Sequence, residues 1–370
     1  MSPISLADWG WDLAGETAFA AHHTAGLEPG RVVSATAGGQ QVMTAAGERF
    51  ATPGGRLRHA ATTAAELPAV GDWVALTAGA EGPTAGDLQA HIEFVLPRRS
   101  AFLRRSPGRP GTAQVLAANV DSVLLVSALT RDLNLRRLER YLGAAWASGA
   151  DPIVVLSKSD LCADPAAAAA RVAEVAGGVP IVTISVVTGG GLEPLRRYLV
   201  PRHTLALLGS SGAGKSTLVN ALLGRHQQAV METRAQDDRG RHMTSARQLL
   251  VLPGGALVID TPGLRSLALW DESGLDRAFE DIDAIAAGCR YRDCAHDREP
   301  SCAVQAAIEA GTLSAARLAN RGKIERELQD VARRLTIATR AAARGDARHT
   351  RSTSADAVAR REARLETLGD

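Results

Sequence analysis

One short glycine-rich segment, Gly209-Ser-Ser-Gly-Ala-Gly-Lys-Ser216, sets the kind of domain that this chain forms. It matches the phosphate-loop pattern G-x-x-x-x-G-K-[ST], in which glycines let backbone N–H groups point at phosphate oxygens. The apolar run Leu205–Leu208 precedes it and the helix-compatible Thr217–Leu223 follows, so a helix N-terminus would face the phosphates. We expect Lys215 to reach the β- and γ-phosphates and the Ser216 hydroxyl to bind Mg²⁺. The predicted phosphate-binding residues are Gly209, Ser210, Ser211, Gly212, Ala213, Gly214, Lys215, Ser216 and Thr217.

Lysine is rare in this chain, which makes the match informative. Of 42 basic residues only Lys158, Lys215 and Lys323 are lysine. Arginine is used where positive charge alone suffices, so a lysine marks a place that needs a compact ammonium group. A flexible Gly/Ser turn is the alternative interpretation of the segment, and the scarcity of lysine argues against it.

The residues around the phosphate loop alternate between apolar strands and helices. This pattern predicts a parallel sheet covered on both faces, in one α/β domain over residues 113–270. The predicted strands are Asp121–Ser127, Pro152–Leu156, Pro180–Ser185, His203–Leu208 and Leu257–Asp260, and the predicted helices are Leu133–Ala147, Asp164–Val175 and Leu192–Leu199.

Two segments predict base selection. Ser157-Lys158-Ser159-Asp160 follows an apolar strand and resembles the N/T-K-x-D element of GTPases. An aspartate there accepts hydrogen bonds from guanine N1–H and the 2-amino group, whereas adenine offers the wrong donor pattern. Ser157 replaces the usual asparagine, so we expect the loss of one polar contact. The alternative interpretation of the whole segment is a polar turn at a strand end with no role in binding. Ser185 matches the weaker S-A-x element, whose backbone faces the guanine oxygen.

The order of the motifs is unusual. Asp260-Thr-Pro-Gly263 ends a strand, where the carboxylate would hold Mg²⁺ through water and the Gly263 amide would face a γ-phosphate. Most GTPases place the base-selecting elements after this turn and the phosphate loop, but here they come first. The order therefore predicts a circular permutation, which is sterically possible because domain termini often lie close together.

The ends of the chain differ in character from its middle. Residues 30–100 predict a small β-barrel, and Ser106–Gly111 is the predicted linker. After Asp271 the pattern is helical, with an amphipathic helix over Ala315–Ala342 and a polar tail from about Arg344. The predicted barrel strands are Arg31–Ala35, Gln41–Ala45, Gly71–Thr77 and Gln89–Leu96.

Three of the four cysteines lie close together. Cys289, Cys294, His296 and Cys302 supply three thiolates and an imidazole, enough for one closed, structural tetrahedral Zn²⁺ site. Asp293 or Asp297 could replace the histidine, although zinc favours imidazole. Cys162 stands apart, and we expect it to be a small buried apolar residue.

Composition limits the class of protein. With 370 residues, 45% hydrophobic and 22% charged, the chain predicts two or three ordinary globular domains. No apolar run is long enough for a bilayer, and the N-terminus lacks a secretory pattern, so we expect a cytoplasmic protein without a membrane partner. The net charge of +2 is uninformative, but six arginines are candidates for contacts to RNA phosphates: positions 56, 58, 98, 99, 104 and 105.

Together these motifs resemble the circularly permuted GTPases, and most closely the ribosome small-subunit-dependent GTPase A family. The resemblance extends over most of residues 30–310 and includes VGDWV, LPRRS, AANVDSVLLV, GSSGAGKST, GRHMTS, DTPG and the cysteine cluster. It implies a multidomain α/β protein with an N-terminal OB-fold (1–107), a permuted GTPase domain (113–270), and a zinc-binding helical domain with a tail (271–370). It also implies GTP hydrolysis to GDP and phosphate, stimulated by the small ribosomal subunit during its late maturation through rRNA contacts, by a chain expected to be a monomer.

The resemblance also assigns the catalytic residues. The polar segment from Arg225 to Arg247 corresponds to switch I, with Thr244 facing Mg²⁺ and the γ-phosphate. Leu264 occupies the position where many GTPases carry a water-orienting glutamine, so His242 is the candidate that orients water. A loop histidine that contacts RNA or nothing is the alternative. The predicted catalytic residues are Lys215, His242 and Thr244, and the predicted Mg²⁺ ligands are Ser216, Thr244 and Asp260.

Two other functions compete with this one. One is a phosphate-loop kinase or ATPase that acts on a small metabolite, in which the similarity of Ser157–Asp160 to a guanine-binding element would be a coincidence. Selectivity for GTP over ATP would argue against this function. The other is a nonenzymatic RNA-binding module that uses nucleotide only as a structural ligand. Multiple turnover of GTP with small subunits would argue against that function.

Overall fold

The computed structural model describes residues 5–36, 38–77, 89–105, 113–224, 247–260, 273–297, 299–330, 332–333 and 336–337. Among the helices in these ranges, none combines the length and apolarity needed to cross a bilayer.

The N-terminal part is a closed five-stranded barrel, as the OB-fold prediction requires. Strand β1 pairs with both β2 and β4, and β3 pairs in parallel with β5, which closes the cylinder. Its interior is filled by alternate apolar side chains, among them Val32, Val42 and Ile92, all fully buried. The strands are β1 (Glu28–Ala35), β2 (Gln40–Thr44), β3 (Gly47–Pro53), β4 (Trp73–Thr77) and β5 (Gln89–Val95).

Two helices of the barrel region and strand β3 are absent from the sequence prediction. Strand β3 buries only Ala51 completely, so it lacks the alternation that reveals a half-buried strand. Helix α1 (Leu13–His23) lies against the barrel, where Phe19 is fully buried and Trp11 packs edge-on against Trp73. Helix α2 covers Gly55–Ala60.

The nucleotide-domain sheet is parallel over β10-β9-β8-β11-β13, with β12 antiparallel at its side. Its strands are apolar throughout because helices cover both faces. One face packs on α3 and α4, the other on α5 and α6. The elements are β8 (Ser122–Ala128), α3 (Leu135–Ser148), β9 (Asp151–Ser157), α4 (Pro165–Ala176), β10 (Ile181–Thr183), α5 (Leu192–Arg196), β11 (Thr204–Leu208), α6 (Lys215–Leu223), β12 (Arg247–Val251) and β13 (Leu257–Asp260).

Strand β12, which the sequence prediction lacks, joins the two parts. It pairs with β13 on one side and with barrel strand β1 on the other, so Ser34, Gln248 and Asp260 lie in one cross-strand row. The barrel and the nucleotide domain therefore share one hydrogen-bonded sheet of eleven strands among the described residues. A two-stranded ribbon of β6 (Ala101–Arg105) and β7 (Ala113–Ala118) also connects them, and the predicted linker Ser106–Gly111 lies outside the described residues.

The C-terminal part is helical, as predicted. It comprises α7 (Ser273–Ala278), α8 (Glu280–Ala286), α9 (Ala303–Glu309) and a helical segment over residues 315–330. Buried Arg317 fastens this part to α3: it donates to Glu139 at 2.6 Å and to both carboxylate oxygens of Asp281 at 2.7 and 2.9 Å.

Candidate nucleotide site and metal centre

The phosphate loop connects β11 to α6 at the carboxyl end of the parallel sheet. Gly209 is required by space, because a Cβ there would lie 2.2 Å from the carbonyl oxygen of Val126. Gly214 has φ +91°, the left-handed region in which glycine is favoured, and it turns the chain into the helix. The Lys215 ammonium donates to the carbonyl oxygens of Gly209 and Ser210 at 2.7 and 2.8 Å, so it lies across the loop that it follows.

The start of α6 presents hydroxyl groups to solvent. Ser216 and Thr217 are both exposed, whereas Leu218 and Val219 are buried against the sheet. This arrangement leaves the hydroxyls and the helix N-terminus available to an anion and a hydrated cation.

Asp260 ends β13 beside the loop. Its strand pairs in parallel with β11, with Ala206 opposite Ile259. Burial raises the pKa of Asp260 above its ordinary value, and the nearby Lys215 charge opposes that shift. A carboxylate held beside the phosphate loop and lacking full hydration is well suited to a magnesium ion.

The two segments predicted to select the base meet at the ends of β9 and β10. Lys158 adopts φ +58°, and Ser159 and Asp160 follow in a short 3-10 helix. The Ser159 amide donates to the Ile184 carbonyl at 3.1 Å, which holds this turn against β10. The buried Ser185 hydroxyl donates to Oδ1 of Asp160 at 2.5 Å, so one carboxylate oxygen is oriented by its neighbour.

Ser157 connects the base-selecting turn to the phosphate loop. Its buried hydroxyl donates to the Ala213 carbonyl at 2.6 Å, and the Ser127 carbonyl lies 3.4 Å away. The Ser157 hydroxyl therefore contacts the phosphate loop directly. Two segments whose bonded residues are 56 positions apart in the chain are therefore in direct contact.

The remaining predicted nucleotide and catalytic residues lie outside the described part of the chain. These are His242, Thr244 and Gly263.

The four predicted metal ligands come together. One ligand atom from each of Cys289, Cys294, His296 and Cys302 lies within 4.8 Å of the others. Tetrahedral zinc with Zn–S of about 2.3 Å and Zn–N of about 2.0 Å requires roughly 3.8 Å between sulfurs and roughly 3.5 Å between sulfur and nitrogen. The Sγ atoms of Cys289 and Cys302 are 3.9 Å apart, and they lie 3.6 and 3.5 Å from Nδ1 of His296. Three of the four donors are therefore spaced as in a tetrahedral metal site, and the Cys294 sulfur lies within 4.8 Å of each of them.

Local contacts orient these ligands. The Cys302 sulfur accepts a hydrogen bond from the Gln305 backbone N–H at 3.4 Å, at the start of α9, and the Gln305 side chain donates to the His296 carbonyl.

The thiols of the cluster have shifted pKa values. Burial raises the pKa of Cys294 to about 11. Burial also acts to raise the pKa of Cys289, but backbone N–H groups of Val304 and Ala303 outweigh it and the pKa is lowered. Three clustered thiols resist ionising together, and a dication supplies the missing positive charge.

The six candidate RNA-binding arginines have different environments. Arg98 directs its guanidinium inward to buried Asp72 at 2.7 Å and to backbone carbonyls, and Arg99 pairs with Asp12 at 2.7 Å. Arg56 and Arg58 are exposed on α2. Arg104 is half-buried, and the side chain of Arg105 lies outside the described set.

Sequence reasoning missed several residues. Fully buried Arg31 donates to the carbonyl of Trp9 and to Oγ1 of Thr204 at 2.7 Å. Burial, together with the charge of Arg104, lowers the pKa of half-buried Arg247. An arginine amid apolar strand residues was the only available signal for Arg31. Nothing local marked Arg247, because its environment comes from strands distant in the chain.

Comparison with known proteins matches this architecture. The family model "RsgA GTPase" matches residues 95–270. "Small ribosomal subunit biogenesis GTPase RsgA" of Opitutus terrae is 49% identical over 90% of this chain and 92% of its own length. The protein of the same name from Streptomyces avermitilis is 44% identical over 92% of this chain and 90% of its own.

Solved structures agree. The crystal structure of YjeQ from Thermotoga maritima superposes with a TM-score of 0.59 at 28% identity, covering 82% of this chain and 99% of that one. YloQ, described as a circularly permuted GTPase, gives 0.56 at 24% identity over 84% and 97%, and supports the fold.

Proposed function

Because this chain belongs to the RsgA family of small ribosomal subunit biogenesis GTPases, we propose that it hydrolyses GTP in response to the small ribosomal subunit. It acts late in the maturation of that subunit, through contacts to ribosomal RNA. The partners are the subunit, its RNA and GTP or GDP, and the chain works as a cytoplasmic monomer.

The observation that carries the proposal is the link between the base-selecting turn and the phosphate loop. The 2.6 Å hydrogen bond from Ser157 to Ala213 sets the distance between the end that would hold guanine and the end that would hold phosphates. Any nucleoside triphosphate spans both ends, and the Asp160 carboxylate oriented at the base end is the feature that favours guanine over adenine.

Each part of the site then has a role. Asp160, oriented by Ser185, accepts hydrogen bonds from guanine, and the Lys158 stem lies along the base, with Ser157 and Ser159 in the same turn. The residues from Gly209 to Thr217 bind the phosphates, with Lys215 at the β- and γ-phosphates. A bound Mg²⁺ would neutralise phosphate charge, and Ser216, Thr244 and, through water, Asp260 would hold it. The Gly263 amide faces the γ-phosphate.

His242 is proposed to orient the attacking water, because Leu264 cannot hydrogen-bond to it. The substitution His242→Ala should depress subunit-stimulated phosphate release about 100-fold while GTP affinity stays unchanged. Equilibrium binding and single-turnover hydrolysis measure the two quantities separately, and unchanged turnover would reject the role.

The cysteine cluster is proposed to hold one structural zinc ion, on the tetrahedral distances given above. We also propose the boundaries 1–107 for the OB-fold domain, 113–270 for the GTPase domain, and 271–370 for the zinc-binding domain and tail.

The test is phosphate release from GTP with and without purified small subunits. We expect strong stimulation by the subunit, and its loss in Lys215→Ala, which removes the ammonium from the phosphate loop. Asp160→Asn should abolish the preference for GTP over ATP. Equal hydrolysis of both nucleotides by the unmodified protein would favour the metabolite kinase or ATPase, and binding without multiple turnover would favour the RNA-binding module.

A further inference from the structure

The turn that carries His296 has a constrained backbone. His296 adopts φ +60° and Ser301 adopts φ +62°, and both values lie in the left-handed region that residues with a side chain rarely occupy. The atom of His296 that lies nearest the sulfurs of Cys289 and Cys302 is Nδ1, at 3.6 and 3.5 Å. Because Nδ1 is the ring nitrogen closer to the backbone, the position of this donor follows the main-chain conformation directly.

The Glu299 carboxylate holds the backbone on both sides of His296. Its Oε1 accepts a hydrogen bond from the N–H of Ala295, and its Oε2 accepts one from the N–H of Asp297, both at 2.9 Å. These two N–H groups belong to the peptide groups that directly follow Cys294 and His296. One side chain therefore fixes the main chain next to two of the four candidate ligands, through hydrogen bonds that the carboxylate charge strengthens.

Gln305 fixes the other end of one of these peptide groups. Its side-chain amide donates to the carbonyl of His296, and its backbone N–H donates to Sγ of Cys302 at 3.4 Å. The peptide group between His296 and Asp297 is therefore bonded at its carbonyl by Gln305 and at its N–H by Glu299. All of these bonds are made by the protein itself, so they support the left-handed conformation of His296 independently of a metal ion.

We propose that Glu299 is a positioning residue for the metal centre: its carboxylate sets the backbone conformation that directs Nδ1 of His296 toward the cysteine sulfurs. This inference rests on the proposed zinc site, and it adds a residue outside the four ligands on which zinc affinity depends. Replacing a residue that orients a metal ligand typically weakens metal binding about 10- to 100-fold.

Glutamine at position 299 separates the two acceptor oxygens from the size of the side chain. It keeps the length and volume of glutamate, but its amide nitrogen is a donor and cannot accept a hydrogen bond from a backbone N–H. Glu299→Gln therefore releases one of the two peptide groups without creating a cavity. Glu309→Gln is the matched control, because Glu309 is exposed at the end of α9 and the change removes the same charge.

The test uses the full chain purified with zinc. Competition with a chromogenic chelator measures zinc affinity, and the d–d absorption bands of Co²⁺ substituted for zinc report which ligand atoms surround the metal. We expect Glu299→Gln to bind zinc about 10- to 100-fold more weakly than Glu309→Gln, and its Co²⁺ spectrum to move toward that of His296→Ala.

A second variant approaches the same peptide group from its other end. Gln305→Ala frees the carbonyl of His296, and we expect it to move the Co²⁺ spectrum in the same direction as Glu299→Gln. GTP affinity should be unchanged in both variants, which shows that the nucleotide domain is folded and that weaker zinc binding is a local effect.

Two results would contradict the proposal. Zinc affinity in Glu299→Gln equal to that in Glu309→Gln would overturn the role of Glu299. Weaker zinc binding with an unchanged Co²⁺ spectrum would show that Glu299 supports the segment without orienting His296, and would equally overturn it. Failure of the proposed zinc site itself gives a different result, because the unmodified protein and Glu309→Gln would then also contain no zinc.

Discussion

The Ser157 hydroxyl holds the predicted base-selecting turn against the phosphate loop, because it is buried and donates to the carbonyl oxygen of Ala213. The substitution Ser157→Ala leaves that carbonyl without this donor, at a cost of about 1 kcal/mol. We expect GTP affinity to fall by about fivefold to tenfold, measured by titration calorimetry, with a similar loss of stability.

Ser148→Ala is the matched control. Ser148 is also buried and donates to a carbonyl, that of Ala145 at 2.6 Å, but it lies at the end of α3. It should lose comparable stability and keep full GTP affinity. Equal affinity losses in both variants would show that Ser157 acts through general stability alone.

Folding disfavours ionisation of Asp260, since burial raises the pKa of its carboxyl group. A raised carboxyl pKa means that the folded state binds the proton more tightly than the unfolded state. The stability from this group is therefore present below the unfolded pKa of about 4 and is lost as pH rises through the folded pKa. We expect Asp260→Asn to raise the melting temperature at pH 7 by about 2 °C, to lose this advantage near pH 4, and to abolish Mg²⁺-dependent hydrolysis. A lower melting temperature at pH 7 would contradict the argument.

At the scale of elements, the cysteine cluster substitutes for a core that its segment lacks. The connection between α8 and α9 contains few buried apolar residues, whereas its four candidate ligand atoms lie within 4.8 Å of one another. Removing the metal with a chelator should therefore open this connection and α9 while the phosphate loop keeps its nucleotide. Hydrogen exchange resolved by segment measures both effects, and elemental analysis should find one zinc per chain.

Two cysteine variants sharpen this prediction. Cys294→Ser should lose the zinc, whereas Cys162→Ser, which changes the cysteine outside the cluster, should retain it. Full zinc content in Cys294→Ser would show that these four residues are not the ligand set.

At the scale of the whole molecule, Arg31 holds three parts together. Its buried guanidinium binds the carbonyls of Trp9 and Asn119 and the hydroxyl of Thr204, and it stacks on Trp73 at 5.1 Å. Burial lowers its pKa to about 10. Thr204 begins the strand that leads to the phosphate loop, so the barrel is bonded to the nucleotide domain at its centre.

We expect Arg31→Ala to destabilise the protein by about 3–5 kcal/mol, because it leaves a cavity and several unpaired acceptors. Arg171→Ala, an exposed arginine, should stay within about 0.5 kcal/mol. With Trp146 and Trp270 replaced by phenylalanine, the remaining tryptophan fluorescence reports the N-terminal part of the chain. In that otherwise unmodified chain, this fluorescence and nucleotide release should report one shared unfolding transition, which Arg31→Ala should split. Separate transitions in the unmodified chain would refute the coupling.

Features that depend on neighbours in the chain were accessible from the residues alone. The phosphate loop, the strand ending at Asp260 and the spacing of Cys289 to Cys302 are local, because backbone turns and nearby ligands are specified within a few residues. The permuted order was equally accessible, since it is a property of the chain. Strand β12 was not, because Arg247–Val251 is defined by pairing with β1 and β13, which are remote in the chain. The hydrogen-bond partners of Ser157 and Arg31 likewise follow from packing between distant segments, which no local pattern encodes.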